Sequence, residues 1–510
     1  MSSGLIADGR ATLGIELGST RIKACLIDDD LAVLATASHE WQNELVDAVW
    51  TYDLDDMWVG LKAAVAALAA EVQARYEVPL TSVKSLGLSA MMHGYLAFDS
   101  DGTQLVPFRT WRNTSTGEAA AQLSELFGVN IPLRWSIAHL HQAVLNDEPH
   151  VAKLAYITTL AGYVHERLTG RRVLGIGDAS GMFPIAGTDY DAAMLAKYTH
   201  LPKPLKTYLP EVLLAGADAG HLTEAGAALL GTLQPGAALC PPEGDAGTGM
   251  VATNAVAPRT GNVSAGTSIF AMVVLERPLQ HAHHELDVVT TPTGDPVAMV
   301  HCNNGASELA EWAGMFQRFA EVAGLTLSAD AAYDALFTEA LAGEADAGGL
   351  LAYNYLAGEP VTGLVEGRPL FVRTPDSRFT LANLMRAQLY GVFGTLSLGM
   401  QVLASEGVAL DRMYAHGGMF RTAGVAQRFL AAALDAPVGV ASSASEGGAW
   451  GIAVLAAYLG HDESLADFLD ERFGEADFTE PDAADVVGYA SYLETYRRGL
   501  AIERAAIEAL

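Results

Sequence analysis

The chain has 510 residues, too many for one ordinary core and suited to two domains of about 250 residues each. Sixty acidic residues against 30 basic ones give a formal charge of −30. That excludes nonspecific binding to nucleic acid or to an anionic membrane, which needs a basic surface. Cys25, Cys240 and Cys302 lie far apart among small or apolar neighbours, so they read as buried free thiols and not as a disulfide framework or metal site. The N-terminal stretch lacks the basic-then-apolar order of a signal peptide, and no apolar run reaches the roughly 18 residues needed to cross a bilayer. A cytoplasmic protein is expected.

In chain order, Thr12–Ile15, Ile22–Ile27 and Ala32–Ser38 read as three short strands. The turn Gly18-Ser19-Thr20 joins the first two, with the carboxylate of Glu16 just before it and Arg21 and Lys23 just after. Met57, Leu61, Val65, Leu68 and Val72 recur at helical spacing, and Val83–Leu88 is short and apolar enough to be a buried strand. Met92, His93 and Gly94 follow that strand, with Trp111 and Asn113 close behind. In open α/β sheets, residues just beyond the carboxyl ends of strands commonly line the ligand crevice. Gly170 is a helix terminator, and Asp178 either supports a site or caps the next helix.

The stretch 241–270 organises the chain. Asp245 stands in a tight loop of small residues, Gly244 to Gly249, where an acid can approach a ligand without side-chain obstruction. A second glycine turn, Gly266-Thr267-Ser268, leads into the apolar run Ile269–Leu275. Such turns direct backbone N–H groups and hydroxyls at an anion. A carboxylate beside an anion cradle points to a hydroxyl activated to attack a phosphate. The turns at 18–20 and 266–268 share a pattern about half the chain apart, which predicts two domains of one architecture. His281, His283, His284 and Glu285 read as a solvated loop in preference to a metal site. Leu384–Leu403 is a core helix. The paired Gly417 and Gly418, and the later Glu446-Gly447-Gly448, stand at strand-to-helix turns where a flat ring can lie against backbone. The tail from Ala483 carries a Tyr489, Tyr492, Tyr496, Leu500 stripe expected to be packing alone.

These motifs, in this order over nearly all of the chain, resemble the FGGY carbohydrate kinases of the actin-like ATPase superfamily. The resemblance implies an α/β fold of two ribonuclease H-like domains, residues 1–254 and 255–510, with a cleft between them. It implies that Gly18, Ser19, Thr20, Gly266, Thr267 and Ser268 hold the phosphates of ATP, and that Gly417, Gly418, Glu446 and Gly447 hold its adenosine. Met92, His93, Trp111, Asn113, Asp178 and Asp245 are the implied sugar site, with Asp245 as general base. Glu16 and Asp245 are the implied carboxylates for Mg²⁺, through water. The chain departs from the family pattern at Glu16 and Asn113, where Asp is usual, and Tyr353–Glu359 lacks the Arg that follows in the family. Glycerol kinases carry a Gln-Arg-Glu triplet at Met92-His93-Gly94, so the expected substrate is a ketopentose such as xylulose or ribulose. The alternatives are another polyol, a ketohexose or a sugar acid, or, in a different class, a nucleotide-switched assembly or chaperone ATPase. The expected partners are a sugar and ATP, without nucleic acid or membrane, and the pattern is compatible with a homodimer.

Overall fold

A computed structural model of the chain describes residues 2–440, 447–473 and 477–510. The chain forms two compact units. The first comprises Met1–Val256, Val288–Pro296 and Ser445–Gly474, and the second comprises Ala257–Asp287, Val297–Ala444 and Glu475–Leu510.

In the first unit a sheet runs in the order Ala238–Leu239, Ser85–Ala90, Thr12–Leu17, Arg21–Ile27, Val33–Glu40, and Glu243–Gly244 also pairs with Ser85–Ala90. Thr12–Leu17 is antiparallel to Arg21–Ile27 and parallel to Ser85–Ala90. Both central strands are buried along their whole length, including the polar Thr12, Glu16, Ser85 and Ser89. Helix Leu54–Tyr76 starts at Asp53, whose carboxylate accepts the N–H groups of Asp55 and Asp56. It is long and apolar enough to pass as a membrane span, but Met57, Leu61, Ala64, Val65, Leu68 and Val72 are buried, and it packs on Val33–Glu40. It is a core helix.

The centre of this unit is a helix from late in the sequence, Gly447–Ala457. It lies flat on the sheet because Gly14 and Gly87 are direct neighbours in register and leave a patch without side chains. A Cβ on Gly14 would fall 2.0 Å from the Ala449 carbonyl oxygen, and one on Gly87 would fall 2.5 Å from that of Ile452. The glycines therefore fix a backbone-to-backbone contact that no other residue permits.

The second unit repeats the connectivity. Thr260–Ala265 is antiparallel to Ile269–Val274 and parallel to Arg412–His416, which is parallel to Val438–Val440. Helix Leu381–Ser405 is buried through most of its length, and Tyr489, Tyr492 and Tyr496 of helix Ala483–Ala509 are buried in the same core. A buried ion pair joins Arg386 to Asp485, which also holds Arg428. Among the described residues, all three cysteines are buried and none is in a disulfide.

Candidate active site

Asp245 stands where strand Glu243–Gly244 gives way to helix Asp245–Ala252. The loop expected from Gly244 to Gly249 is thus a helix. Its small residues serve packing, since a Cβ on Gly451 of the neighbouring helix would lie 2.1 Å from the Thr248 carbonyl oxygen. The Asp245 carboxylate accepts the Met92 N–H at 3.0 Å and remains open to water. The protein around it raises its pKa above the usual Asp value, opposed by the N–H groups of Met92 and Ala246 and by the charge of Arg134. First-turn N–H groups favour an anion at this end of the helix. The outcome is an ionisable carboxylate held at a fixed position.

Two further carboxyls lie behind it. Asp178 is buried in the short helix Ile176–Ser180 and does not cap it. Thr159 donates to its Oδ2 at 2.6 Å, while Oδ1 has no partner. Glu243 is buried too, and its two oxygens accept the N–H groups of Gly177 (3.2 Å) and Asp178 (2.8 Å). Glu243 therefore clamps the short helix that carries Asp178. Burial, and then the neighbouring charge of Asp178, pushes Glu243 up to about 8, and burial pushes Asp178 up to about 7. A carboxyl raised in the folded state stabilises the fold fully below its unfolded pKa and loses that contribution as pH rises through the folded value. Between about pH 5 and 8, wild type should therefore lose about 1–3 kcal/mol relative to Glu243→Gln. Thermal midpoints taken across that range test this, and parallel curves for the two proteins would refute it.

Met92 and His93 complete this group. The His93 imidazole and the Met92 side chain both lie against Gly181, where a Cβ would be 2.6 Å from His93 Nδ1 and 2.8 Å from Met92 Cε. His93 is in the left-handed region at φ 71°, followed by Gly94 at φ 100°. A non-glycine residue there is strained, and such strain gathers at ligand sites. Met92, His93, Asp178 and Asp245 are thus brought together. Asn113 is occupied otherwise: its Oδ1 accepts the Trp50 N–H and its Nδ2 donates to the Trp50 carbonyl, each at 2.8 Å. An Asp could not donate the second bond, which accounts for the amide at this position. Trp111 is 39% exposed, in the turn between Thr110 and Asn113.

The hairpin turn 18–20 is braced from behind. Trp41 Nε1 donates to the Gly18 carbonyl at 2.6 Å and the Tyr52 hydroxyl donates to the Ser19 carbonyl at 2.7 Å. The two rings stack, with centroids 4.3 Å apart. With its carbonyls so engaged, the turn keeps one conformation, and Thr20 stands exposed. If the turn holds phosphates of ATP, as the resemblance implies, removing the hydroxyl in Tyr52→Phe should raise the KM for ATP about 3–10-fold with little change in kcat, as expected for one hydrogen bond. Steady-state kinetics at varied ATP check this, and an unchanged KM would count against the brace.

Glu16 lies beside this turn. Its carboxylate accepts the Ala449 N–H in the first turn of helix Gly447–Ala457. Gly448 makes room for the longer acid, because a Cβ there would sit 2.6 Å from Glu16 Oε1. Lys23 Nζ is 3.6 Å from Oε2, which is buried without a hydrogen-bond partner. Burial raises the pKa of Glu16, and the charge of Asp245 adds to the rise. Gly447 adopts φ 62° in the same turn, whereas Glu446 lies outside the described residues.

In the second unit the turn 266–268 is held in a comparable way. The Gly266 carbonyl accepts from Ala306 and the Thr267 carbonyl accepts from Gly305, both at 2.8 Å. Gly266 and Thr267 are exposed. Gly417, at φ 117°, packs against the end of the neighbouring strand Thr260–Ala265, where a Cβ would meet the Ala265 carbonyl at 2.2 Å, while Gly418 has open space above it. The Gly417–Gly418 turn and the turn 266–268 are thus adjacent within this unit.

Sequence reasoning missed Glu243, Thr159, Arg134, Trp41 and Tyr52. The brace residues lie 23 and 33 positions from their partners, so no local pattern marks them. Glu243 stands two residues before the chosen acid, and a carboxylate beside it was a signal in plain view.

Residues 11–236 match the FGGY family of carbohydrate kinases, N-terminal domain, and residues 261–460 match the C-terminal domain of the same family. A xylulose kinase of Klebsiella pneumoniae is 24% identical over 201 residues, covering 36% of this chain and 39% of that protein. The chain thus aligns with about two-fifths of the length of this curated relative. Among solved structures, a xylulose kinase from Rhodospirillum rubrum superposes with a TM-score of 0.80 at 22% identity, over 97% of this chain and 99% of that one. A gluconate kinase from Lactobacillus acidophilus does so at 0.77 and 16% identity, over 97% and 98%. These two likenesses establish a two-domain α/β fold shared with those kinases, and the matches to both family domains establish the lineage: the chain belongs to the FGGY family of carbohydrate kinases.

Proposed function

We propose that the protein transfers the γ-phosphoryl group of ATP to a hydroxyl of a sugar, with a ketopentose of the xylulose or ribulose type as first candidate. The observation that carries this reading is Asp245, exposed to water at a helix start, with Arg134 near its charge and Met92, His93 and Asp178 beside it. Asp245 accepts the proton of the sugar hydroxyl as that oxygen attacks phosphorus, the Pγ–O bond to ADP breaks, and ADP leaves. His93 and Asp178 orient the sugar through its hydroxyls, and the exposed ring of Trp111 offers an apolar face to its C–H groups. The N–H groups and hydroxyls of the turns 18–20 and 266–268 hold phosphate oxygens, and the glycines at 417, 418 and 447 belong to the adenosine. Phosphoryl transfer asks a protein mainly for such alignment and charge neutralisation.

The residues present also fit Mg²⁺. Glu16 has a buried oxygen without a hydrogen-bond partner, and its pKa is raised in part by Asp245, a strain that a cation would relieve. Glu16, with Asp245 through water, would hold the ion, which neutralises phosphate charge when bound.

A panel of ketopentoses, ketohexoses, polyols and gluconate in a coupled ADP-release assay, with the product position determined, tests the substrate. The likeness to a gluconate kinase makes a sugar acid the second reading. Hydrolysis of ATP at one rate with and without every sugar would favour an assembly ATPase instead.

A further inference from the structure

Away from these residues, the second unit brings together His281, His283 and Glu406, whose ligand-capable atoms all lie within 4.8 Å of one another. Glu406 caps the C-terminal end of helix Leu381–Ser405, more than 120 residues from the histidines, so the fold and not the local sequence assembles the group. One carboxylate oxygen, Oε2, accepts the Gln280 N–H at 2.9 Å and is thereby fixed. The other, Oε1, faces both imidazoles, with His281 Nδ1 at 2.9 Å and His283 Nε2 at 2.7 Å. His284 turns aside to Glu285. The Glu406 side chain is 4% exposed and that of His281 is 75% exposed, so the group has an anchored floor and an open side.

We infer that these three residues form a binding site for a borderline divalent transition metal, Zn²⁺ being the reference ion. Two imidazoles two residues apart and one carboxylate are an established zinc donor set, and the open side leaves a fourth position for water. Ligands about 2.0–2.1 Å from zinc in a tetrahedron stand about 3.3 Å apart. The imidazole nitrogens stand 2.9 and 2.7 Å from Oε1, so each moves out by about half an ångström when an ion enters between them. To bind the ion, each facing imidazole nitrogen must present its lone pair, with the ring neutral and its single proton on the other nitrogen. The ion then ties the segment before strand Leu286–Thr290 to the end of the long core helix. Imidazole donors disfavour Mg²⁺, so the ion of the kinase reaction does not compete here.

The test uses the untagged full chain, stripped with chelator and titrated with Zn²⁺ against a chromophoric competitor. One equivalent should bind, and Co²⁺ in its place should give the visible absorption of a low-coordinate His/carboxylate site. Glu406→Gln and His283→Asn should each weaken Zn²⁺ binding by about 100-fold. His281→Ala, at an exposed position that cannot disturb the core, should weaken it by at least about 10-fold. Wild type binding no Zn²⁺ at micromolar concentration, or binding that persists in the His281→Ala/His283→Asn double variant, overturns the proposal. The readout is independent of turnover, so its failure leaves the kinase reading intact.

Discussion

Asp245→Asn should lower sugar-dependent ADP release by about 10³-fold, within the range of about 10²–10⁴ that a positioned base contributes. The substitution is close to isosteric. Its side-chain oxygen can still accept the Met92 N–H, so helix Asp245–Ala252 keeps its start and the fold its stability. What it loses is the capacity to take a proton and a negative charge opposite Arg134. ATP binding, measured separately by calorimetry, should be unchanged within about twofold, because the loss falls on the transition state alone. Sugar-dependent turnover near wild type would remove Asp245 from its role and with it the proposed chemistry. The pH profile gives a second readout: because the protein around Asp245 raises its pKa, activity should fall on the acid side above the usual range of an Asp.

The first three strands and helix Leu54–Tyr76 were legible because each rests on an apolar period that a short window contains. The repeat was legible for a related reason. Two Gly-Ser/Thr turns after apolar strands mark equivalent hairpins, and the matching antiparallel and parallel pairings bear this out. Asp245–Ala252 was misread as loop because glycine weakens a helix by propensity, whereas here close approach of helix Gly447–Ala457 selects small residues. Asn113 was read as a ligand contact, while its amide is used up in clipping Trp50. The clamp by Glu243, the brace by Trp41 and Tyr52, and the meeting of Glu406 with two histidines all depend on tertiary proximity. No spacing in the chain encodes them.

Gly451→Ala should be among the most damaging single-methyl changes in the first unit, and it is the one that bears on the helix carrying Asp245. Placed in an exposed helix interior, alanine would gain about 1 kcal/mol over glycine. At residue 451 the added carbon would stand 2.1 Å from the Thr248 carbonyl oxygen, and neither atom belongs to a side chain that can rotate away. The two helices must separate, and overpacking of this kind costs about 3 kcal/mol, so the clash outweighs the propensity. The damage should reach the chemistry, because Thr248 shares its helix with Asp245 and its hydroxyl pairs with Ser89 at 3.1 Å, while the other helix gives Glu16 its N–H. The expected result is a thermal midpoint lower by several degrees together with a lower kcat. Gly117→Ala is the control, since nothing lies within 4 Å of a Cβ there and both quantities should stay at wild-type values. If Gly451→Ala melts and turns over like wild type, the helix carrying Asp245 is not held by backbone contact, and the small residues from 247 to 249 need another reason.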